Sequence, residues 1–385
     1  MDSGKKDHLT DSLKILVVDT YYEDFLKTFH AERRDLATAS YDDTLAALMA
    51  QCFGTADYYS RNLLALGDTC VDVVANDRLL QAKWAAEHDL PFDVTPPVEA
   101  VMRRIPYIRR FTRPSDWRLP ALVDRIRAES PDVVYFQDLS LLEPWLADAI
   151  RPFAKLIVGQ IACPPPSERY LHGFDLILTS FPHFVRRFRA LGIGSEYFRI
   201  AFETTLLDRL VKLPEAYGAV FVGGFVDVHT QATVALERLA SEVQLDVWGY
   251  GTESLAPDSP LRTHFHGQAW GIDVYNIFHN SKIVVNRHSS AAENYANNMR
   301  LFEATGSGAM LITDEKDNLG ELFEVGTEVV AYSDANDLVD KVRYYLAHED
   351  ERAQIAAAGQ ARTLRAHTYA NRMQELDEIL RKYLR

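Results

Sequence analysis

The sequence is poor in cysteine and has no long hydrophobic run. Its three cysteines, Cys52, Cys70 and Cys163, are far apart and show no metal-binding spacing, which fits a reducing compartment and packed thiols. No apolar stretch approaches the ~20 residues that a membrane-spanning helix needs. The first eleven residues are polar and charged, unlike a signal peptide. We therefore expect a cytoplasmic protein.

The chain also lacks an excess of positive charge. Its formal net charge is −14, whereas a general nucleic-acid binder needs a basic face that displaces counterions. No Asp-x-Asp pair of the kind that holds a divalent metal is present. With 385 residues, 47% of them hydrophobic, the composition is that of a globular protein long enough for two domains. We expect no nucleic-acid partner and no bound metal.

One segment is basic despite the acidic total. Between Arg103 and Arg118 six arginines are interspersed with aromatic and aliphatic side chains, and only Asp116 opposes them. One interpretation is a patch for an anionic acceptor, or for anionic lipid at the inner face of a membrane. The alternative is a solvated insertion whose arginines pair with acids elsewhere. The residues alone leave both interpretations open.

Short apolar runs alternate with helical patterns along the chain, which is typical of parallel α/β domains. The first run, residues 13–18, ends at Asp19, and further polar side chains follow later predicted strands, among them Gln160 and His183. Because the carboxyl ends of parallel strands share one edge of a sheet, these side chains are expected to line that edge, where each could serve catalysis or, as an equal alternative, a helix cap or packing.

The alternation is interrupted once, at residues 205–217, which read as a linker stiffened by Pro214. A second series of strands and helices follows. The predicted organisation is therefore an N-terminal Rossmann-like domain, residues 1–205, a C-terminal Rossmann-like domain, residues 218–368, and a last helix, residues 369–385.

Residues 281–314 predict a strand, a polar loop, a helix, a glycine turn and another strand. The loop carries Arg287 and His288, and Asn297 is the expected N-cap of the helix. A single acid, Glu303, lies in this helix just before the glycines. A carboxylate here can accept hydrogen bonds from the two hydroxyls of a ribose. Arg300, three residues earlier, would reach a phosphate or pair with Glu303.

Two further features suit a nucleotide. Gly223 and Gly224 follow a predicted strand directly and precede a helix, so that backbone N–H groups there can approach a phosphate. Trp270 follows another predicted strand and would pack on a base, although a structural role is an equal alternative.

Seven short motifs in the second half of the chain resemble those of one family in their order and spacing. They are Phe221-Val-Gly-Gly224, Trp248-Gly-Tyr-Gly251, Gly267-x-x-Trp-Gly271, Ser281-Lys-Ile-x-x-Asn286, Asn297-Asn-Met-Arg-Leu-Phe-Glu-Ala-Thr-Gly306, Leu311-Ile-Thr-Asp314 and His367-Thr-Tyr369. Together they resemble the CgeB-like (spore maturation protein-like) glycosyltransferases over most of residues 219–385. The first half resembles the acceptor domain of such proteins more loosely, through Asp19-Thr-Tyr-Tyr22, Arg61-Asn62 and Gly159-Gln160.

The resemblance implies a GT-B fold, in which two Rossmann-like domains face each other across a cleft. It implies that the C-terminal domain holds a nucleotide-sugar, that catalysis is metal-independent, and that the last helix packs back on the N-terminal domain. Broader retaining relatives carry two glutamates eight positions apart, and the later one matches Glu303. The earlier position is Tyr295 here, with Glu293 the nearest acid, so the retaining outcome stays open.

The resemblance also implies where a donor would bind. Relatives hold the diphosphate with an Arg and a Lys that the turn at residues 223–229 lacks, so His229, Arg287 or Arg300 would substitute. The predicted donor-binding residues are Gly223, Gly224, His229, Tyr250, Trp270, Arg287, His288, Asn298, Arg300 and Glu303. The predicted catalytic residues are Asp19, Gln160 and His183, with Asp19 or His183 as the base and Gln160 orienting the substrate.

The predicted function is transfer of a sugar from a nucleotide-diphosphate sugar, with UDP-sugars favoured, to a glycan, lipid-linked or protein acceptor. No cofactor is expected beyond this substrate. One alternative with the same fold is a nucleotide-sugar 2-epimerase, and another is a non-catalytic nucleotide-sugar-binding or structural protein.

Overall fold

The computed structural model describes residues 12–92, 117–214, 217–225 and 230–385, without the side chains of residues 230–232. His229 and most of the basic segment between Arg103 and Arg118 therefore lie outside the described residues. Within the described ranges, no helix is both long and apolar enough to cross a membrane.

The N-terminal domain is built on a sheet of six parallel strands in the order β2-β1-β3-β4-β5-β6. The strands are β1 Lys14–Asp19, β2 Thr69–Val74, β3 Val133–Phe136, β4 Leu156–Ile161, β5 Leu176–Thr179 and β6 Gly194–Tyr197. The helices are α1 Glu23–Glu32, α2 Tyr41–Met49, α3 Tyr58–Ala65, α4 Arg78–Glu87, α5 Arg118–Glu129, α6 Pro144–Ile150 and α7 Pro182–Ala190. Every residue of β3 and β5 is buried, because helices cover both faces of the sheet.

The C-terminal domain is built on five parallel strands in the order β11-β10-β9-β7-β8. The strands are β7 Tyr217–Val222, β8 Leu245–Trp248, β9 Ser281–Val285, β10 Met310–Asp314 and β11 Val330–Tyr332. The helices are α8 Thr230–Ala240, α9 Ile272–His279, α10 Met299–Gly306, α11 Leu319–Leu322, α12 Ala335–Ala347, α13 Glu349–Ala366 and α14 Tyr369–Leu384. Two parallel sheets in an α/β chain confirm the predicted fold class.

The strand order reverses once in each sheet, and the reversals position the site. In the first sheet β1 lies between β2 and β3, and in the second β7 lies between β8 and β9. A crevice opens outside the carboxyl ends of strands at such a reversal. Asp19 ends β1 and Gly223 follows β7, so each lies at the reversal of its own sheet.

Four sequence-based placements were wrong, and one of them is the strand expected before Trp270, where Phe265 forms only an isolated bridge with Val247. The edge strand β6 escaped detection because it is short, polar and buried only at Ser195. Gln160 lies within β4 rather than after it. Asn298, not Asn297, caps α10, and its side chain accepts a hydrogen bond from the Leu301 N–H at 3.3 Å. Two adjacent asparagines suit a cap equally well in sequence, so only the backbone path distinguishes them.

The chain crosses between the domains twice, and the two crossings are hydrogen-bonded to each other. The Phe202 N–H donates to the His367 carbonyl at 2.9 Å, and the Tyr369 N–H donates to the Phe202 carbonyl at 3.0 Å. The next helix, α14, then packs on α3 of the N-terminal domain, and Arg381 pairs with Asp68 at 2.9 Å. Thr368 begins α14 through a capping box with Asn371.

The domains also meet directly at Gly271. The Ile272 N–H donates to the Gln51 carbonyl at 2.9 Å, so backbone from both domains is in contact. Gly271 has φ +52°, and a Cβ atom there would lie 1.9 Å from the Gln51 oxygen. Only glycine permits this approach, because any side chain would push the two domains apart.

We expect Gly271→Ala to lower the free energy of unfolding more than Gly267→Ala does. Gly267 also has a positive φ, of +93°, but open space around its Cβ position, so alanine there adds only backbone strain of about 1 kcal/mol. Alanine at Gly271 adds the interdomain overlap, expected to cost about 2 kcal/mol more. Urea unfolding of both variants measures the difference; equal losses would contradict the contact.

Candidate active site

A cleft of about 540 Å³ separates the domains at the carboxyl edges of both sheets. Both domains contribute polar and aromatic side chains to it. The main ones are Asp19, Thr20, Tyr22, Phe53, Thr55, Gln137 and Cys163 on the N-terminal side, and Trp270, Tyr275, Asn297, Asn298, Met299, Arg300 and Glu303 on the C-terminal side. The C-terminal wall comes from two segments, residues 269–275 at the start of α9 and residues 297–303 at the start of α10.

Glu303 is a buried acid on this wall. Its side chain is 5% exposed and forms an ion pair with Arg300. It also accepts a hydrogen bond from the Tyr275 hydroxyl of α9 at 3.4 Å. Burying a carboxylate is costly unless charge and hydrogen bonds compensate it, and Arg300 and Tyr275 supply both.

The start of α10 is held by an asparagine network. The Asn298 amide donates to Asn286 Oδ1 and to the Arg287 carbonyl, both at 2.9 Å. Asn286 in turn donates to the Thr313 hydroxyl at 3.0 Å. These bonds fix α10 to the ends of β9 and β10, so the electropositive helix start points at the cleft in a set direction.

Asn297 is a site candidate that sequence reasoning missed, because it was assigned to the cap. It lines the cleft, its residue is 7% exposed, and its Nδ2 has no hydrogen-bond partner among the described residues. A buried amide without a partner is rare in native proteins. The Asn297 amide is therefore available to a ligand.

The glycine turn after β7 is paired with the turn after β8. The Gly223 N–H donates to the Trp248 carbonyl at 3.0 Å, and the Phe225 N–H donates to the Tyr250 carbonyl at 2.9 Å. A Cβ at Gly224 would lie 2.7 Å from the Tyr250 ring. The Gly223 N–H is thus already used in a hydrogen bond. The two glycines are needed for the close packing of these two turns, whether or not a ligand binds there.

Aromatic rings from both domains cluster at one end of the cleft. Trp270 stacks with Tyr250 at a centroid distance of 5.8 Å and meets Tyr22 edge-on at 5.3 Å. Phe53 lies 5.7 Å from Trp270. Tyr22 and Tyr250 also line an adjoining cavity of about 350 Å³. Such rings offer a flat apolar surface for a base or another planar group.

Two predicted donor-binding residues lie deeper, at the ends of β9 and β10. His288 Nδ1 bonds to Asp314 Oδ1 at 2.6 Å, and His288 Nε2 is buried without a partner among the described residues. Burial acts against ionisation of Asp314, but the bond from His288, together with Lys316, lowers its pKa to about 2. Arg287 donates to the Gly224 carbonyl at 2.8 Å, and burial lowers its pKa to about 10. Arg287 thus braces the glycine turn.

Among the described residues, Asp19 is the one acid on the N-terminal wall, and its pKa is strongly raised. Burial raises the pKa of its carboxyl to about 7, against the opposing hydrogen bond from the Thr20 N–H at 2.7 Å and with a small contribution from the charge of Asp138. A carboxyl that titrates near neutral pH suits proton transfer.

The other two predicted catalytic residues do not line the cleft itself, although Gln160 lines an adjoining cavity of about 160 Å³ that shares Gln137 and Met299 with it. Gln160 Oε1 accepts hydrogen bonds from the Tyr59 and Tyr135 hydroxyls at 2.6 and 2.7 Å, so it is engaged inside the domain. His183 begins α7 and stacks on Tyr295 of the opposite domain at 5.7 Å. Its ring nitrogens are buried without hydrogen-bond partners among the described residues.

The loop that carries Tyr295 is therefore in contact with both domains. Glu293, in the same loop, lies 3.9 Å from His183 Nδ1 and has φ +49°, an uncommon backbone conformation for a residue other than glycine. The structure thus brings Asp19, Trp270, Asn298, Arg300 and Glu303 to one cleft, whereas His183 does not line it. Tyr275 was missed because its link to Glu303 joins two helices.

Residues 231–378 match a family model described as glycosyl transferase-like. This match confirms the predicted class of enzyme for the domain that contains Glu303. A sequence search of curated proteins finds no match.

Solved structures share the whole architecture. HepE from Anabaena, solved with UDP-glucose, is 13% identical, with 96% of this chain and 100% of HepE covered and a TM-score of 0.60. Sucrose-phosphate synthase from Thermosynechococcus elongatus is 13% identical, with 96% and 98% covered and a TM-score of 0.59. AviGT4, a glycosyltransferase of avilamycin A biosynthesis, is 15% identical, with 97% and 98% covered and a TM-score of 0.56. The predicted GT-B fold is confirmed.

We expect Asp19→Asn to become more stable relative to the wild type as the pH rises from 5 to 8. The folded pKa of Asp19, about 7, lies above its ordinary value of 3.8, so the folded carboxyl keeps a proton that the unfolded chain has lost. Wild-type stability therefore falls through this window, by about 2–3 kcal/mol from this group, and asparagine removes that loss.

Urea unfolding at pH 5 and pH 8 measures the change, and Asp132→Asn is the control. Burial opposes ionisation of Asp132, but Lys155 and Lys14 outweigh it and lower its pKa, so its effect should be constant over this range. A stability difference for Asp19→Asn that does not change with pH would contradict the raised pKa.

Proposed function

We propose that the protein transfers a sugar from a nucleotide-diphosphate sugar to an acceptor held by the N-terminal domain. The observation that carries the proposal is the buried Glu303 carboxylate, on the first turns of α10, facing an interdomain cleft. A carboxylate there can accept two hydrogen bonds from ribose hydroxyls. The opposite wall supplies Asp19, whose pKa of about 7 would let it take a proton from an acceptor hydroxyl.

The donor is proposed to be a UDP-sugar. HepE, which shares the fold, was solved with UDP-glucose, and this supports a uridine nucleotide without deciding the sugar. The aromatic cluster of Tyr22, Tyr250 and Trp270 lies where the cleft meets the adjoining cavity and offers a surface for the base. The motifs quoted above favour the CgeB-like branch of glycosyltransferases, which is part of the proposal.

The departing diphosphate needs positive potential, since charge develops on it as the glycosidic bond breaks. The start of α10, the Asn297 amide and Arg300 supply this potential on the C-terminal wall. Within the described residues, no group of three or more His, Cys, Asp or Glu side chains is arranged to hold a metal ion. Metal independence stays a prediction, and activity measured with and without a chelator tests it.

We expect Glu303→Gln to lower donor affinity by about 100-fold or more, since a neutral amide loses both charge-assisted bonds to the ribose. Glu328→Gln is the matched control: Glu328 lies 3.8 Å from Arg362 in the same domain but outside the cleft. Isothermal calorimetry with UDP-glucose and UDP measures both variants, after thermal unfolding has shown that they are folded. Unchanged affinity in Glu303→Gln would contradict the assignment.

Incubating the wild type with donor alone then separates the candidate reactions. A glycosyltransferase should release nucleoside diphosphate slowly, by hydrolysis, whereas a 2-epimerase would convert the donor to its epimer without any acceptor. Tight binding with neither product would favour a non-catalytic binding protein.

A further inference from the structure

Arg300 is the one Lys or Arg among the described residues that line the cleft. Its guanidinium is held at its base: Nε donates to the Val222 carbonyl at 3.0 Å, and the Phe278 ring centroid lies 5.5 Å from its central carbon. Its Nη1 is the atom that pairs with Glu303. The side chain is 27% exposed, so its outer end is open to the cleft.

This arrangement places Arg300 between the two halves of the proposed donor site. Val222, which Arg300 contacts, is the last residue of β7 and comes directly before Gly223 and Gly224. Glu303 lies about one turn of α10 after Arg300. A ribose on Glu303 would therefore have its diphosphate near the guanidinium. The planar guanidinium fork suits a phosphate, which accepts two parallel hydrogen bonds from it.

Without donor, Arg300 and Glu303 bind each other. The Glu303 carboxylate is used by Arg300, and the Arg300 Nη1 is used by Glu303. A ribose needs the carboxylate and a diphosphate needs the guanidinium. A ligand that carries both groups can replace the whole ion pair, whereas a nucleoside can replace only half of it and would leave a partly buried Arg300 without its anion.

We propose that donor binding exchanges this ion pair, with Glu303 passing to the ribose hydroxyls and Arg300 passing to the diphosphate. The guanidinium is a rigid plane, and the bond from Nε to the Val222 carbonyl and the Phe278 ring keep it in place, so the exchange is made by the Glu303 carboxylate turning to the ribose hydroxyls. Arg300 then selects diphosphates over nucleosides, and this inference rests on the proposed function.

The exchange predicts opposite behaviour for charged and uncharged ligands. In Arg300→Gln, affinity for UDP should fall about 10–100-fold, the loss expected for charge-assisted hydrogen bonds to one phosphate group. Affinity for uridine should not fall, because Glu303 no longer has a competing partner. In Glu303→Gln, by contrast, affinities for UDP and uridine should fall together.

Calorimetry of the wild type and these variants with uridine, UMP and UDP tests the exchange. Arg343→Gln is the control, since Arg343 is an exposed arginine of the same domain that pairs with Glu242 outside the cleft. Arg300→Lys, which keeps the charge without the fork, should retain part of the preference for UDP. Thermal unfolding of each variant shows whether it is folded.

Two results would overturn the ion-pair exchange and leave the proposed function standing. One is a UDP affinity in Arg300→Gln equal to that of the wild type. The other is a parallel loss of UDP and uridine affinity in that variant, which would mean that Arg300 acts only by orienting Glu303. A wild type that binds neither UDP nor GDP, ADP or dTDP would instead overturn the proposed function, and the exchange with it.

Discussion

The backbone contact between Gly271 and Gln51 is the constraint on which the site depends. It holds the N-terminal domain against the start of α9, and α9 carries Tyr275, which donates to Glu303. Trp270, one residue before the contact, meets Tyr22 of the other domain. A few residues thus set the width of the cleft, the position of the aromatic cluster and the support of the buried acid, while the two hydrogen-bonded crossings at Phe202 keep the domains in register.

Electrostatics in this cleft depend on burial more than on net charge. The chain carries −14, yet the described cleft walls hold two acids, Asp19 and Glu303, and one Lys or Arg, Arg300. Asp19 is only about half ionised at pH 7 because burial opposes its charge, and Glu303 is compensated by Arg300. An anionic donor therefore meets a helix start and one cation instead of a strongly negative surface.

Much of the fold could be predicted from sequence, because buried parallel strands are continuous apolar runs, as in residues 283–285. Glu303 could be found because it is a lone acid beside a glycine turn. The polar edge strand β6 gave no such signal, and Gln160 was misplaced because glycine suggested an early end to β4. Contacts between residues of different domains, such as the stacking of His183 on Tyr295, depend on how the domains are oriented. No pattern in the neighbouring sequence predicts them.

The central claim is that a nucleotide-sugar binds in the interdomain cleft with its nucleotide on α10. A crystal structure of the protein with UDP-glucose tests it most directly. We expect the ribose hydroxyls within hydrogen-bonding distance of the Glu303 carboxylate, the diphosphate beside Arg300 and the start of α10, and the sugar directed towards Asp19. A nucleotide bound outside the cleft, or one whose ribose makes no contact with Glu303, would contradict it.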